Sequence, residues 1–541
     1  MAQNIRELIT LQIGHHANFV GTHWWNLQEA SFVYNSSSTS DINHDFLFRE
    51  GVTSQRQETY TPRLLCIDTK GSLHSLPAHG SLYNPIQPDH STSEASWDGP
   101  VELIQQLPEE KNEYLMDLEQ EDARFLGPAD EDKDICIDDS SISNKVPDFH
   151  LAPSQKIYDL TKSVKVWSDF LRPHFHPTSI YLLDDTLVKS ARTSGNTDET
   201  IWGFPLGSAL FQREEVEDEI TDRIRRLAES CNSLQGFQIL SDIHDGMGGV
   251  CYGVLQHLAD EYGSKDSITF ATTPSQLSPV IPQARILTRA AIVQENNPYI
   301  TSSVMAAFVD TASLVYRSRT SPLPLSYVVD MLSPGGRNVA AGSVALPLGL
   351  RFDQAMLEWL QQGHKPNLVS LSAGCDYTVA PISEIRVIRG VPSSRLVRPD
   401  TKLPPGVHYT TASQLYNEFL QESHTPPSMR MVTGVQDPLK LNPPFPSIFS
   451  GTFTEDGYAN NVATTNIKSA PCAAGLHQGA GIGHLLQHLV TAAEKLDVTK
   501  VPSLVEEGLD KDGWSGVVED LRNITRNYCI NNIEIDSSDN D

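Results

Sequence analysis

Hydrophobic and polar residues at the start of the chain are ordered as in a strand followed by a helix. The run Leu8–Leu11 is short and mostly apolar, which predicts a buried strand, and Gly14 then permits a tight turn. Four large side chains after the turn recur at spacings of three and four residues, which predicts that they share one face of a helix. They are Phe19, Val20, His23 and Trp24.

The same order recurs later in the chain. Leu64–Ile67 is predicted to be a buried strand, with Asp68 at its carboxyl end, where open parallel sheets place ligand contacts. A helix is predicted over 214–230, because acidic residues precede arginines and an apolar stripe runs through it. The stretch LQGFQILSDIHDGMGGV then predicts a strand, a glycine turn and a helix, and Ser267–Thr272 predicts a further strand. This alternation predicts an α/β fold with a doubly wound, mainly parallel sheet.

Other segments lack this order. Tyr34–Gln57 is polar and serine-rich and is predicted to be a loop, whereas VWSDFLRPHFHP has helical spacing at Trp167, Phe170 and Leu171. Leu107–Ser141 contains 13 acidic and 3 basic residues without sustained periodicity, which predicts a solvated, mobile insertion. Beyond residue 350 the pattern changes to mixed strands, proline-rich connections and two late helices.

Composition narrows the classes of partner. The 541 residues carry a formal charge of -28, which disfavours binding to nucleic acid or to anionic lipid. The seven cysteines are odd in number and have no metal-ligand spacing, so we expect a reduced, intracellular chain without a zinc site. No secretory or transit signal is recognised, and the charge-free run Ser469–Ala493 is too polar to span a bilayer. Only peripheral membrane association is therefore expected.

Several segments together resemble the tubulin superfamily. YTPRLLCID is similar to the tubulin segment in which Pro-Arg leads a strand into an aspartate, and RRLAESCNSLQGFQI to the helix and strand before the tubulin phosphate loop. Leu504–Tyr528 resembles the tubulin C-terminal helical hairpin. RELITLQIGHHANFVGTHWW resembles the tubulin N-terminus, with its Arg-Glu, strand, Gln-x-Gly, Asn, Gly and Trp. The residues that match there are Arg6, Glu7, Gln12, Gly14, Asn18, Gly21 and Trp25.

A more specific resemblance is to Misato, a divergent tubulin-like family. It rests on ITLQIGHHANFVGTHWWN, ETYTPRL, VWSDFLRPHFHP and DGMGG. The resemblance implies a tubulin/FtsZ-type fold and a role in the distribution, morphology and fusion of mitochondria. It also implies residence in the cytoplasm or on the outer mitochondrial membrane, with protein partners there, and in some lineages a link to spindle microtubules.

The tubulin-like order implies a set of domain boundaries. The nucleotide domain is expected in two parts, at residues 1–104 and 156–350, separated by the acidic insertion at 105–155. An α+β second domain is expected at 351–500, a C-terminal helical hairpin at 501–535 and an acidic tail at 536–541.

The stretch that corresponds to the tubulin phosphate loop departs from the tubulin pattern. Tubulins hold phosphate with GGGTGSG, whose small residues let backbone N–H groups approach the oxygens. Here the stretch is HDGMGGV, in which Asp245 brings negative charge, Met247 replaces the threonine and Val250 adds bulk. A like charge within about 4 Å costs on the order of 1 to 4 kcal/mol. We therefore expect weakened phosphate affinity.

The catalytic acid of the superfamily is also missing by position. In tubulins and FtsZ, a loop with acidic residues enters the neighbouring subunit and orients the attacking water. The matching stretch here, MLSPGGRNVAAGSVALP, has no carboxylate between Asp330 and Asp353. We therefore expect no GTP hydrolysis, and the chain is predicted not to be an enzyme.

Retained binding of GTP or GDP with Mg²⁺ stays open. The first corner offers backbone and imidazole donors, Asp68 has the chemistry for a Mg²⁺-bound water, and Asp310 aligns with the residue that reads the guanine edge. The alternative is that these residues are a turn, a loop cap and a surface acid. The nucleotide-binding candidates are Gly14, His15, His16, Asp68, Gly246, Gly248, Gly249 and Asp310; Gln12, Asn18, Gly21, Trp25 and Arg63 are expected to be structural.

Three functions remain. The preferred one is a non-catalytic tubulin-like scaffold or regulator of mitochondrial shape. The second is a cytosolic factor for tubulin folding or spindle microtubule assembly, which would bind tubulin or a chaperonin. The third is an active, polymerising GTPase, which would need an unrecognised catalytic base.

Overall fold

The structure is a computed structural model that describes most of the chain. The described residues are 6–33, 40–52, 58–74, 76, 110–126, 156–184, 203–273, 297–372, 375, 381–423, 427, 429–449, 452–461, 467–501, 504–505 and 510–528. The predicted acidic tail at 536–541 and most of the predicted acidic insertion lie outside these ranges.

A parallel sheet forms the first half of the fold. Its strands are β1 (Glu7–Ile13), β4 (Leu64–Thr69), β5 (Ile180–Leu183), β6 (Leu234–Asp242) and β7 (Asp266–Thr272), in the order β5-β4-β1-β6-β7. Every neighbouring pair is parallel, and β1 lies at the centre with all seven residues buried. A small antiparallel hairpin joins β2 (Phe48–Val52) to β3 (Glu58–Pro62). The predicted α/β class is confirmed.

Helices cover both faces of this sheet. On one face lie α1 (His15–Ala30), α6 (Pro298–Ala312), α7 (Leu314–Arg317) and α8 (Leu325–Leu332); on the other lie α3 (Phe204–Phe211), α4 (Glu214–Glu229) and α5 (Gly246–Glu261). Helix α1 is buried along its length, from His16 to Gln28, because it packs between the sheet and α6. That burial explains why both Trp24 and Trp25 belong to the core.

A second, mixed sheet follows. Its strands are β8 (Ala341–Ala345), β9 (Val369–Ser370), β10 (Ser383–Arg389), β11 (Met429–Val435) and β14 (Cys472–Gln478), in the order β11-β10-β14-β8-β9. Between these strands lie α9 (Met356–Gln361), α10 (Ala412–Ser423) and the pair β12 (Leu439–Lys440) and β13 (Ser469–Ala470). Side chains of α6, β8 and β10 share one hydrophobic cluster with the first sheet, so the two sheets share a core.

The C-terminal helices pack as a hairpin, but it begins earlier than predicted. Helix α11 (Ala480–Lys495) packs on α12 (Lys511–Tyr528), and the Trp514 indole donates to the Ala493 carbonyl at 3.1 Å. The second sheet likewise starts with β8, before the boundary predicted at residue 350. The domain boundaries and the assignment of segments to domains stay predictions.

Three local predictions are wrong. Tyr34–Gln57 is not only loop, because β2 lies within it; its exposed polar residues hide the strand pattern. VWSDFLRPHFHP forms only a 3-10 turn over Trp167–Phe170, because Pro173 ends helical geometry at the residue before it. Part of the acidic segment is helical: α2 (Glu113–Leu126) buries Tyr114 and Leu118, which are too few apolar positions to stand out among the acids.

Candidate functional site

The candidate site lies at the carboxyl edge of the first sheet. Strands β4, β1 and β6 are parallel neighbours, so their carboxyl ends lie at the same edge. Asp68 lies near the end of β4, Gly14 follows β1, and Asp242 ends β6. The amino ends of α1 and α5 start there. Unpaired backbone N–H groups at such helix starts attract anions.

The amino end of α1 is occupied by a carboxylate of the protein itself. The backbone N–H of His16 donates to Asp242 Oδ2 and that of Ala17 to Oδ1, both at 2.9 Å. The Thr272 hydroxyl donates to the same Oδ1 at 2.7 Å. Gly14, the N-cap residue, supplies no side-chain cap, so Asp242 from the neighbouring strand takes that role.

The amino end of α5 is capped in the same way. Asp245 is its N-cap residue, and its carboxylate accepts the Met247 backbone N–H at 2.9 Å. Met247 stands where tubulins have a threonine, and its buried side chain packs in the core instead of offering a hydroxyl. Carboxylates thus stand at both helix starts where phosphate oxygens would be bound.

The glycines of this corner serve close helix packing. A Cβ built at Gly207 of α3 would lie 1.6 Å from the Gly246 carbonyl oxygen, and one at Gly249 would lie 2.0 Å from the Phe204 carbonyl oxygen. A Cβ at Gly248 would lie 3.3 Å from the Cα of Ile243. Gly249, one of the three predicted phosphate-loop glycines, and Gly207 therefore let α3 lie directly on α5.

Asp68 is buried, and its Oδ2 lies within hydrogen-bond distance of three side-chain nitrogens. Its Oδ2 accepts from Asn18 Nδ2 at 3.0 Å and from Trp167 Nε1 at 2.8 Å, and lies 3.2 Å from His15 Nδ1. A carboxylate oxygen has about two lone-pair sites. Asp68 Oδ1 accepts the Thr69 backbone N–H at 2.7 Å. Asp68, on β4, thus connects this strand by hydrogen bonds to α1 and to the 3-10 turn.

The two corner histidines have different surroundings. Burial alone would lower the pKa of His15, but its hydrogen bond to Asp68 and that carboxylate's charge raise it above the ordinary value. Burial lowers the pKa of His16 to about 4, and the charges of His244 and His15 add to this effect. His16 is 5% exposed, and neither ring nitrogen has a hydrogen-bond partner among the described residues.

Asp310 belongs to a buried ion-pair network. Its Oδ2 accepts from Arg389 Nη1 at 2.5 Å and its Oδ1 from Arg317 Nη2 at 2.8 Å, and Gln28 also donates to Oδ1. Burial opposes ionisation, but the Arg389 and Arg317 guanidiniums hold the pKa of Asp310 below its usual range. Asp310 therefore links α6 to β10 of the second sheet, and both oxygens are engaged.

The residues expected to be structural lie in the core. A Cβ at Gly21 would lie 2.1 Å from the Gln12 amide nitrogen, so the helix passes directly over that side chain. Arg63 donates to the Asp45 carbonyl at 2.8 Å, and its other Nη lies 3.7 Å from Glu7 Oε1. Trp25 contacts the Phe48 ring edge-on, with ring centroids 5.4 Å apart.

Sequence reasoning missed Asp242 and Trp167 as members of this corner. Asp242 could have been found, because it ends a predicted parallel strand beside the strand that leads into Gly14. Trp167 lies 99 residues from Asp68, and no local pattern indicates their contact. Whether Gly14, Asp68, Asp310 and the other candidates bind nucleotide stays a prediction.

Comparisons with known proteins fit this fold. Residues 6–120 match the family described as Misato Segment II tubulin-like domain, and residues 158–315 match the Tubulin domain. The chain is 31% identical to Protein misato homolog 1 of Danio rerio, over 100% of both chains. The chain belongs to the Misato family.

Other Misato proteins agree over different lengths. Protein misato of Drosophila melanogaster is 29% identical over 95% of this chain and 97% of its own. Protein dml1 of Aspergillus clavatus is 33% identical over 48% of this chain and 45% of its own. The predicted family is confirmed. Among the described residues of this Misato protein, no helix is both long and apolar enough to cross a membrane.

Acid is expected to destabilise this Misato protein through its buried histidines. Burial lowers the pKa of His23 to about 3 and that of His44 to about 3, so below pH 6.5 the unfolded chain binds protons that the folded chain does not. Stability is therefore lost as the pH falls, by at most about 1.4 kcal/mol per pH unit for each histidine. Asp242 opposes the trend, because burial raises its pKa to about 7.

Urea unfolding at about pH 6.5 and about pH 5 tests this prediction. We expect a lower midpoint at the lower pH. His23→Gln keeps an N–H for the Tyr299 carbonyl, which His23 Nε2 contacts at 2.8 Å, and should reduce the pH slope. His364→Gln, at an exposed position, is the matched control. A midpoint that rises on acidification contradicts the prediction.

Proposed function

We propose that this Misato protein is a non-catalytic tubulin-like scaffold. Its surface binds protein partners that control the distribution, morphology and fusion of mitochondria. It acts in the cytoplasm and by peripheral association with the outer mitochondrial membrane. Binding of nucleic acid is disfavoured by the charge of -28.

One observation carries the non-catalytic part of the proposal. The Asp242 carboxylate accepts the His16 and Ala17 N–H groups, which are the donors that a phosphate would need at the start of α1. A phosphate would have to displace Asp242 and leave that carboxylate buried beside another anion. Asp245 repeats this obstacle at the start of α5.

The stretch between the two sheets supports the same conclusion. It connects α8 to β8 and contains the turn Pro334–Gly336. No acidic side chain lies between Asp330 and Asp353. A second copy stacked on this one would therefore present no carboxylate from this stretch to orient an attacking water.

Freshly purified protein is expected to carry no stoichiometric nucleotide. Denatured protein can be analysed by mass spectrometry, with αβ-tubulin treated in the same way as the positive control. Adding GTP and Mg²⁺ should also leave the unfolding midpoint unchanged, whereas a ligand at 100 times its Kd stabilises by about 2.7 kcal/mol. Guanine nucleotide near one per chain, with steady phosphate release, would contradict the non-catalytic proposal.

Asp68→Ala would not be a clean test of nucleotide binding. It would leave the Trp167 indole and the Asn18 amide without their acceptor in the core. Asp68→Asn keeps the size of the side chain and one acceptor oxygen, and we expect it to rescue cells depleted of the protein. Rescue should be scored separately for mitochondrial distribution and for spindle microtubules. Loss of spindle function alone would favour a tubulin-assembly role.

A further inference from the structure

Three side chains with metal-ligand chemistry lie together at this corner, and two of them are the carboxylates that cap α1 and α5. Asp242, His244 and Asp245 each offer one ligand atom, and these atoms lie within 4.8 Å of one another. They lie on the connection from β6 into α5. Asp242 Oδ2 accepts one described hydrogen bond, from His16, so it keeps a lone pair.

The His244 imidazole is only partly satisfied. Its side chain is 18% exposed, and its Nε2 lies 3.7 Å from Asp245 Oδ2. Its Nδ1 is buried and has no hydrogen-bond partner among the residues that the structure describes. A buried nitrogen without a partner is unfavourable. This imidazole is therefore available as a ligand.

His16 is a second histidine at this corner whose ring nitrogens are unpartnered. Its side chain is 5% exposed, and its backbone N–H donates to Asp242. Both ring nitrogens lack partners within the described part of the chain. Buried polar atoms are normally hydrogen-bonded, so this corner holds more polar groups than its own hydrogen bonds satisfy.

We propose that Asp242, His244 and Asp245 are the three protein ligands of one divalent transition-metal ion of the Zn²⁺ class. Imidazole and carboxylate ligands suit Zn²⁺, whereas Mg²⁺ and Ca²⁺ prefer oxygen ligands alone. Ligands of a tetrahedral zinc ion lie about 3.3 to 3.5 Å apart, so small side-chain movements would close this cluster around the ion.

The proposed Zn²⁺ ion is independent of the scaffold function, which does not require a metal. The sequence-based expectation of no zinc site considered only the cysteine spacing, and these ligands contain no cysteine. A bound cation would offset the two carboxylates at the helix starts and hold α1, β6 and α5 together. It would therefore stabilise the corner rather than open it.

The test measures metal binding by the full-length chain. Protein stripped with EDTA and dialysed is titrated with ZnCl₂, and in parallel with MgCl₂, by calorimetry and by elemental analysis after gel filtration. We expect one Zn²⁺ per chain, a raised unfolding midpoint, and Mg²⁺ affinity at least about tenfold weaker. His244→Gln and Asp245→Asn should each weaken Zn²⁺ binding by at least about tenfold.

His257→Gln is the matched control, because it removes a histidine from the same helix, α5, away from the cluster. Each variant must keep the wild-type unfolding midpoint in EDTA, and His244→Asn replaces His244→Gln if it does not. Zinc binding that survives both cluster variants, or that is lost in His257→Gln, would overturn the proposal. The absence of a one-to-one site in the wild type, or equal affinity for Mg²⁺, would also overturn it.

Discussion

Replacing Asp310 by alanine is expected to lower the free energy of unfolding by about 3 to 5 kcal/mol. The change leaves the Arg317 and Arg389 guanidiniums buried without the carboxylate that pairs with both. Arg317 would keep its bonds to Ser313 and Gln28, and Arg389 its bonds to backbone carbonyls. These neutral acceptors do not compensate two buried positive charges.

Urea unfolding monitored by tryptophan fluorescence measures the loss. Glu494→Ala is the matched control, because it breaks an exposed pair with Arg522 at 2.9 Å, which we expect to contribute little to stability. The stability of Asp310→Asn, which keeps volume but not charge, should fall between those of Asp310→Ala and the control. An Asp310→Ala protein as stable as the control would mean that the network is not a source of stability.

Gly14→Ala is expected to have the second large effect, a loss of about 3 kcal/mol or more, or failure to fold. Gly14 has φ 108° and ψ 159°, a region that is essentially restricted to glycine. A Cβ there would also lie 2.5 Å from Asp242 Oδ2, so the carboxylate that caps α1 would have to move. Soluble yield and thermal unfolding measure the effect.

Gly71→Ala separates the two causes. Gly71 also has positive φ, at 95°, but a Cβ there meets no atom of the described residues within 4 Å. We expect Gly71→Ala to be milder than Gly14→Ala, and the difference to report the collision with Asp242. If both variants lose equal stability, backbone strain alone explains the Gly14 result.

The parts of the fold that sequence predicts well are those with a local signal. Strand β1 could be predicted from its run of apolar residues. Helix α4 could be predicted from its apolar stripe and from the acidic residues that precede its arginines. Strand β2 was missed because exposed polar residues interrupt it, and α2 because acids dominate its composition. The second sheet could not be ordered, since its neighbours β10 and β14 are far apart in sequence.

The positions of the two corners could be predicted from the sequence, but the side chains that surround them could not. The Gly-His-His corner and the glycine corner do meet at one sheet edge, as their positions after parallel strands indicate. The side chains that occupy these corners come from distant segments. Asp242 accepts a backbone N–H at the start of α1, and the Trp167 indole donates to Asp68. Asp310 was expected to be either a guanine reader or a surface acid, and its two arginine partners come from the residues that follow α6 and from the second sheet.

The close approach of α3 to α5 bears on how glycine motifs in this family are interpreted. Gly207 and Gly249 permit that approach, since a methyl group at either would meet backbone atoms of the opposite helix. Natural selection for helix spacing alone would preserve them. The presence of these two glycines in related chains would therefore indicate that the two helices are closely packed. It would not indicate whether the chain binds a ligand.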